Sequence, residues 1–224
     1  MKKPIFLISL ILLFAVRMFS QTIDQPNYGL KSHPTLEIES IVMAPGATTL
    51  FMVIENQSLD GTFCADKNIF IVLPNGKHLK IKSTEGIPRC PDTYVFKSFG
   101  EKMLFSLTFP PIPEGTRYID LVEDCNDACF SFNSVILDPA INQKIDHAYS
   151  SLESKDPEKA SMEFEALLPL FSDKKCSYTG AIYTNLIELS KATGDELKAQ
   201  EWMEKLVNSD IPMKEKYIES LKKN

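Results

Sequence analysis

The cysteines are the residues of this sequence whose chemistry is easiest to anticipate. Four of the five lie in the first 137 residues and are candidates for disulfide bonds: Cys64, Cys90, Cys125 and Cys129. Four cysteines allow three pairings. We favour Cys64–Cys90, which closes a loop around a predicted hairpin, and Cys125–Cys129, which pins a turn between two predicted strands. Crossed pairing of Cys64 or Cys90 with Cys125 or Cys129 is the alternative.

The same cysteines could serve two other kinds of chemistry. Cys125 and Cys129 have three residues between them, not the two of thioredoxin-like sites, and the acidic neighbours Glu123 and Asp124 would raise a thiol pKa. A redox-active dithiol is therefore disfavoured. Four cysteines could also bind zinc, but disulfides explain them better if the chain is exported, as its first twenty residues, Lys2 and Lys3 followed by an apolar run, predict. The fifth, Cys176, is interpreted as an unpaired loop or partly buried cysteine, with a functional free thiol or an intermolecular link as the alternatives.

Other catalytic and metal-binding patterns are missing from the sequence. His33, His78 and His147 show neither HxxxH nor HExxH spacing, and there is no nucleophile elbow, glycine-rich phosphate loop or EF-hand loop. The acidic turn at 123–127 has carboxylates for calcium but no regular ligand spacing, so an exposed turn is expected. We therefore predict no catalytic residue, no cofactor and no metal ion. The single tryptophan, Trp202, is a possible partner contact, although packing in the helical core is favoured.

Residues 34–138 follow the period of two that is typical of strands. Apolar and polar residues alternate through short runs separated by turns, and Asn75-Gly76 predicts a tight hairpin with positive φ at both residues. Seven or eight short strands of this kind predict an antiparallel β-sandwich. Residues 21–33 lack any hydrophobic period and are predicted to be a flexible leader.

Residues 139–224 follow the helical period instead, and five helices are predicted. Asp156-Pro157 and Gly194-Asp195 mark two helix starts. The run DPEKASMEFEALL from Asp156 aligns without gaps with DELKAQEWMEKLV from Asp195, at an offset of 39 residues. Such a repeat predicts helix pairs that stack on one another. Two pairs are fewer than the three or so that an independent array needs, so the β half is expected to cover one end of the stack.

Both halves resemble known domain families. The β half, with LFMVIENQS, the Asn-Gly hairpin and FSLTFPPIPEGTRYIDLVED, resembles the immunoglobulin-like accessory domains of bacterial envelope proteins. Residues 178–211 resemble a tetratricopeptide repeat in their length, the early Gly180, the Gly194-Asp195 turn and Ala199, but the tryptophan and Leu-Gly pair of that family's first helix are missing. The resemblance implies an α+β multidomain chain. An N-terminal immunoglobulin-like antiparallel β-sandwich would be followed by a tetratricopeptide-like α-helical hairpin domain.

The first twenty residues predict a secretory signal peptide. Lys2 and Lys3 precede an unbroken apolar run at 5–16, which is shorter than the roughly 20 residues of a spanning helix. We therefore predict a signal at 1–20 and export to the periplasm or the extracellular space, with an uncleaved anchor as the alternative. Loss of the signal lowers the basic residues from 24 to 21 against 30 acidic residues, a net charge of −9. Such an acidic chain is not expected to bind nucleic acid.

These features favour an exported, non-enzymatic protein that mediates protein or peptide interactions in the bacterial cell envelope. Helical repeats offer a concave surface, and an acidic groove suits a peptide or a basic protein segment. The alternative is a small enzyme or ligand sensor with a site at the junction of the β and helical halves, because domain junctions favour pockets. A thiol redox role is the third hypothesis.

Overall fold

A computed structural model describes residues 20–126, 128–173 and 175–222 of the chain, so nearly all of the predicted signal peptide lies outside the described residues. Within them the chain is α+β, with strands first and helices second. The strands are β1 (Gln21–Asp24), β2 (Leu30–Lys31), β3 (Leu36–Ala44), β4 (Ala47–Glu55), β5 (Thr62–Phe63), β6 (Ile69–Val72), β7 (His78–Lys80), β8 (Ser83–Glu85), β9 (Tyr94–Val95), β10 (Lys102–Phe109), β11 (Tyr118–Glu123) and β12 (Ser131–Ile136).

The strands form two five-stranded antiparallel sheets and one short pair. The first sheet has the order β1-β3-β4-β10-β8, the second has the order β2-β12-β11-β6-β7, and β5 pairs with β9. Alternation along the strands sends every second side chain inward. Leu50 and Met52 of the first sheet and Ile71 and Leu121 of the second are fully buried members of one hydrophobic core. The two sheets therefore share a single apolar interior.

The predicted hairpin is present between β6 and β7, but its turn differs from the prediction. Only Gly76 has positive φ, at 82°, whereas both Asn75 and Gly76 were expected there. The Gly76 N–H donates to the Leu73 carbonyl at 2.8 Å, and the Lys77 N–H donates to Asn75 Oδ1 at 3.0 Å. Pro74 occupies the second position of this turn, where its fixed φ suits an ordinary turn, so the loop is longer and needs one left-handed residue.

Five α-helices follow the strands in the described part of the chain. They are α1 (Pro139–Glu153), α2 (Pro157–Leu167), α3 (Tyr178–Ala192), α4 (Glu196–Val207) and α5 (Lys214–Ser220), and a 3-10 turn at Leu168–Phe171 follows α2. Their buried faces form a second hydrophobic core. Tyr118 of β11 and Ile136 of β12 belong to that second core, so the β half packs directly against the helices.

The helix starts at Asp156 and Asp195 have the same geometry. The Asp156 carboxylate accepts the Lys159 N–H at 3.1 Å, and the Asp195 carboxylate accepts the Lys198 N–H at 3.0 Å. Each aspartate satisfies one of the backbone donors that a helix N-terminus leaves without a partner. The sequence repeat at an offset of 39 therefore corresponds to a repeated helix cap.

The turn before each cap is repeated as well. Lys155 and Gly194 precede the two capping aspartates, and both have left-handed φ, at 58° and 78°. The backbone N–H of each capping residue returns to a carbonyl five residues earlier, at 3.1 Å to Ser151 and at 2.9 Å to Ser190. The two helix pairs therefore share one turn, although lysine holds a conformation that favours glycine in the first of them.

Residues 21–33, predicted to be a flexible leader, contain two strands. β1 pairs with β3 over Gln21–Asp24, and β2 pairs with β12 over Leu30–Lys31. The prediction was wrong because β1 has only one buried apolar residue, Ile23, so the sequence shows no alternation. The pairing depends on backbone hydrogen bonds to distant strands. We call residues 21–33 the N-terminal segment.

No helix within the described ranges is long and apolar enough to cross a membrane. The structure contains the disulfides Cys64–Cys90 and Cys125–Cys129, which are the favoured pairs. Disulfides of this kind are typical of an oxidising compartment.

Candidate functional site

The N-terminal segment connects the β half to the first helix. The Asn27 backbone N–H donates to Asn142 Oδ1 at 2.9 Å, and its side-chain amide donates to Asp146 Oδ1 at 2.8 Å. Asn142 in turn donates to the Ile136 carbonyl at 3.0 Å, and the Ile136 N–H donates to the Asn27 carbonyl at 2.8 Å. These four bonds link a β-strand, a helix and the N-terminal segment in one polar network.

A second polar contact joins β12 to the start of α3. Strand pairing is irregular at Asp120, and Ser134 opposite it has left-handed φ, at 52°. The Ser134 N–H donates to Asp120 Oδ1 at 2.6 Å, and the Ser177 N–H donates to Ser134 Oγ at 2.8 Å. Burial raises the pKa of the Asp120 carboxyl above its ordinary value. The irregularity thus turns a strand residue toward the helices.

Tyr217 of α5 fills the space between the helical half and the N-terminal segment. It is 2 % exposed. A Cβ atom added at Gly180 would lie 2.3 Å from its ring, and one added at Gly29 would lie 2.5 Å from its hydroxyl. Both glycines are therefore needed for close approach and not for a special backbone angle.

Beside these contacts lies an open cavity of about 400 Å³, which we call the junction cleft. Its walls come from the N-terminal segment, β3 and α1. They comprise Gln25, Pro26, Asn27, Tyr28, Glu37, Ile38, Glu39 and Tyr149. Gln25 has left-handed φ, at 44°, and its N–H donates to the Glu39 carbonyl at 2.8 Å. That bend carries the chain from the end of β1 into the residues that line the cleft.

The junction cleft is acidic and has two tyrosine walls. Tyr28 donates to Glu37 Oε2 at 2.9 Å, and burial together with this bond raises the pKa of the Tyr28 hydroxyl. Lys31 forms an ion pair with Glu37 and its ammonium lies 5.7 Å from the centre of the Tyr28 ring. Tyr149, the other aromatic wall, is held by an edge contact with Phe164 at 5.2 Å.

The remaining cysteine is inside the protein. Cys176 is a free thiol, 2 % exposed, in the loop between the 3-10 turn and α3, in agreement with the favoured interpretation as an unpaired loop or partly buried cysteine. Burial raises its pKa, which disfavours the reactive thiolate. Cys176 lines a cavity of only about 60 Å³ together with Tyr118 and Asp173, whose side chains are hydrogen-bonded at 2.8 Å.

Trp202 lies largely in the helical core, at 6 % exposure. Its ring is 5.9 Å from that of Tyr183, and the Lys205 ammonium lies 3.8 Å from its centre. The candidate partner contact therefore exposes little of its own ring surface. The histidines are not brought together: His33 is in the N-terminal segment, where burial lowers its pKa, and His147 is exposed on α1.

The acidic run at 123–127 begins with a buried carboxylate, because Glu123 is the last residue of β11, whereas Asp124 in the turn that follows is exposed as expected. Glu123 is 6 % exposed. Its carboxylate accepts the Asp66 N–H at 2.8 Å and the Phe130 N–H at 3.2 Å. Burial raises the pKa of the Glu123 carboxyl above its ordinary value, although these two hydrogen bonds act in the opposite direction. Glu123 therefore holds two loops together, a role that only the fold reveals.

The outer face of the first helix pair also carries openings, of about 240 and 430 Å³, between α1 and α2. At an offset of 39, its polar residues correspond to apolar residues that are buried in the second pair. The correspondences are Gln143 with Ile182, His147 with Leu186, Ser150 with Leu189, and Glu163 with Trp202. These openings are bounded by the first helix pair alone, whereas the walls of the junction cleft come from both halves of the chain. We therefore assign the candidate site to the junction cleft.

The sequence-based predictions did not include the cleft residues of the N-terminal segment, although the side chains of Asn27 and Tyr28 offered one signal. Asn27 and Tyr28 follow a proline, and asparagine and tyrosine side chains bring both hydrogen bonds and contact area. Among the described residues no three histidine, cysteine or acidic side chains are grouped as a metal site would require. Comparisons with models of protein families, with curated proteins and with solved structures found no match to this chain.

Proposed function

We propose that this chain is an exported, non-enzymatic binding protein of the bacterial cell envelope, whose junction cleft takes up a segment of a protein or peptide partner. In this proposal an immunoglobulin-like β-sandwich precedes a tetratricopeptide-like helical hairpin domain. Two antiparallel sheets that share one core support the first assignment, and the repeated capped turn supports the second. The two disulfides agree with an extracytoplasmic location.

The observation that carries the proposal is the composition of the junction cleft. Its walls come from both halves, so binding there uses the whole chain and not one domain. Tyrosines are frequent among the residues that dominate binding energy, because a rigid ring offers a large contact area and a polar tip. Tyr28 provides one such ring from the N-terminal segment, and Tyr149 provides the other from α1.

A small-ligand sensor or enzyme at the same place is the second candidate function. The cleft volume of about 400 Å³ falls within the range of about 300–1,000 Å³ that is usual for small-molecule pockets. The two candidates differ in the extent of the contact. A protein partner would also touch the surface around the cleft, whereas a small ligand would stay inside it.

Site-specific photocrosslinking in living cells tests the proposal. A photoreactive phenylalanine analogue replaces Gln25 at the rim of the cleft, and the matched control carries it at Leu59, which is 85 % exposed and does not line the cleft. We expect a discrete protein adduct from position 25 and none of that size from position 59. Equal adduct patterns, or no protein adduct from position 25, would contradict the proposal, and the second of these results favours a small ligand.

A further inference from the structure

The charged residues that line the junction cleft are all acidic. Two carboxylates, Glu37 and Glu39, are among its lining residues, and no lysine, arginine or histidine is. Asp146 adds a third carboxylate beside the lining residue Asn27, whose amide it accepts at 2.8 Å. A cleft with low-dielectric walls concentrates the field of such charges, so a cation is the ligand group that it favours.

Lys31 provides an intramolecular example of that chemistry. Its ammonium is paired with Glu37 and lies 5.7 Å from the Tyr28 ring centre, so one carboxylate and one aromatic face already receive a cation. The ring face is electron-rich and attracts a cation within about 6 Å. Lys31 thereby neutralises Glu37 and leaves the other carboxylates without a basic partner.

The uncompensated charge is at Glu39 and Asp146. Glu39 is exposed, and its carboxylate forms no ion pair among the described residues. Asp146 accepts a neutral amide and likewise has no basic partner in that part of the chain. Tyr149 contributes a second aromatic wall to the cleft, which Glu39 also lines, while Asp146 is connected to it through Asn27. The cleft therefore contains a second ring and a lining carboxylate that no described cation neutralises.

We propose that the junction cleft binds a lysine or arginine side chain of the partner, with Glu39 and Asp146 facing its charge and Tyr149 covering its alkyl stem. This inference rests on the proposed function, that the cleft is the protein-binding site, and adds the chemistry of the bound residue. The stem of lysine or arginine packs on an apolar or aromatic surface while its head stays charged. The site therefore selects a basic segment over a neutral or acidic one.

Titration of the full, oxidised chain with blocked peptides tests the inference. The probe is a seven-residue peptide of glycine with one central lysine, and its matched control has norleucine in place of lysine, which keeps the stem and removes the charge. NMR signals of labelled tyrosines report whether binding occurs at Tyr28 and Tyr149. We expect the lysine peptide to bind at least about fivefold more tightly than the norleucine peptide, the size of one exposed ion pair.

Charge variants identify the carboxylate. Glu39→Gln is expected to reduce lysine-peptide affinity by about fivefold and to leave norleucine binding unchanged. Glu85→Gln is the matched control, since Glu85 is an exposed glutamate of the same sheet on β8 and does not line the cleft. Higher salt should weaken only the lysine peptide, because the pair is open to solvent.

The outcomes separate the inference from the proposed function. Equal affinity for both peptides, or equal effects of Glu39→Gln and Glu85→Gln, would overturn the inference. A protein adduct from position 25 would in that case leave the proposed function standing. A lysine peptide that shifts the cleft tyrosines in the absence of any protein adduct would support the cation site and contradict the protein partner.

Discussion

Gly180 is the position at which one added methyl group should disturb the helical half most directly. An alanine Cβ there would lie 2.3, 2.4 and 2.8 Å from three ring carbons of Tyr217, well inside van der Waals contact. The ring is buried and cannot swing into solvent. Overpacking of this kind costs about 1–3 kcal/mol, whereas alanine in place of glycine within a helix gains up to about 1 kcal/mol. We expect Gly180→Ala to lower the free energy of unfolding by about 1–2 kcal/mol.

A double-mutant cycle isolates the contact. Tyr217→Ala removes the ring and is itself expected to cost about 3–5 kcal/mol. In that background Gly180→Ala should become neutral or stabilising, because only the helix preference remains. Gly46→Ala is the control, since no atom lies within 4 Å of its Cβ position. Urea unfolding followed by circular dichroism measures all five proteins. An equal cost of Gly180→Ala in both backgrounds would refute the close approach of α5 to α3.

Three further outcomes are expected from the same chain. Replacing both cysteines by serine should cost about 3.5 kcal/mol for Cys64–Cys90, at a separation of 26, and about 2 kcal/mol for Cys125–Cys129, at a separation of 4; chemical denaturation in which the shorter loop proves more costly would contradict this. Asp120 has a raised folded pKa, so its contribution improves as pH falls through that pKa and is unfavourable at neutral pH. The free energy of unfolding of Asp120→Asn should therefore exceed that of the native chain by more at pH 7 than at pH 4. The reverse order in urea titrations would show that the carboxylate is stabilising. Cys176 should react with a thiol reagent only in denaturant, and a fast reaction in the native protein would disprove its burial.

Local sequence signals were sufficient wherever structure depends on neighbouring residues. The capped starts at Asp156 and Asp195 were readable because an aspartate cap acts within three residues, and the same range fixes the hairpin at Gly76. The favoured disulfides also followed from local features, since one encloses the predicted hairpin and the other a single turn.

The alternative hypothesis named the junction of the two halves, but the residues of the junction cleft could not be read from the sequence because its walls are far apart along the chain. Asn27 and Asn142 are separated by 115 positions, and nothing in either local sequence indicates the other. The burial of Glu123 is a similar case, since its two partners lie on separate loops. Long-range polar contacts depend on the assembled core, and hydrophobic period carries no information about them.

The N-terminal segment has a consequence for the order of folding. Its residues are the first described ones to be synthesised, yet Asn27 bonds to Asp146 across 119 positions and Gly29 donates to the Asn133 carbonyl. Closing so long a loop is slow, because its entropy is lost before the contacts form. The first residues must therefore wait for the middle of the chain. The junction cleft exists only once that closure is complete, so binding there would distinguish finished molecules from chains that are still folding.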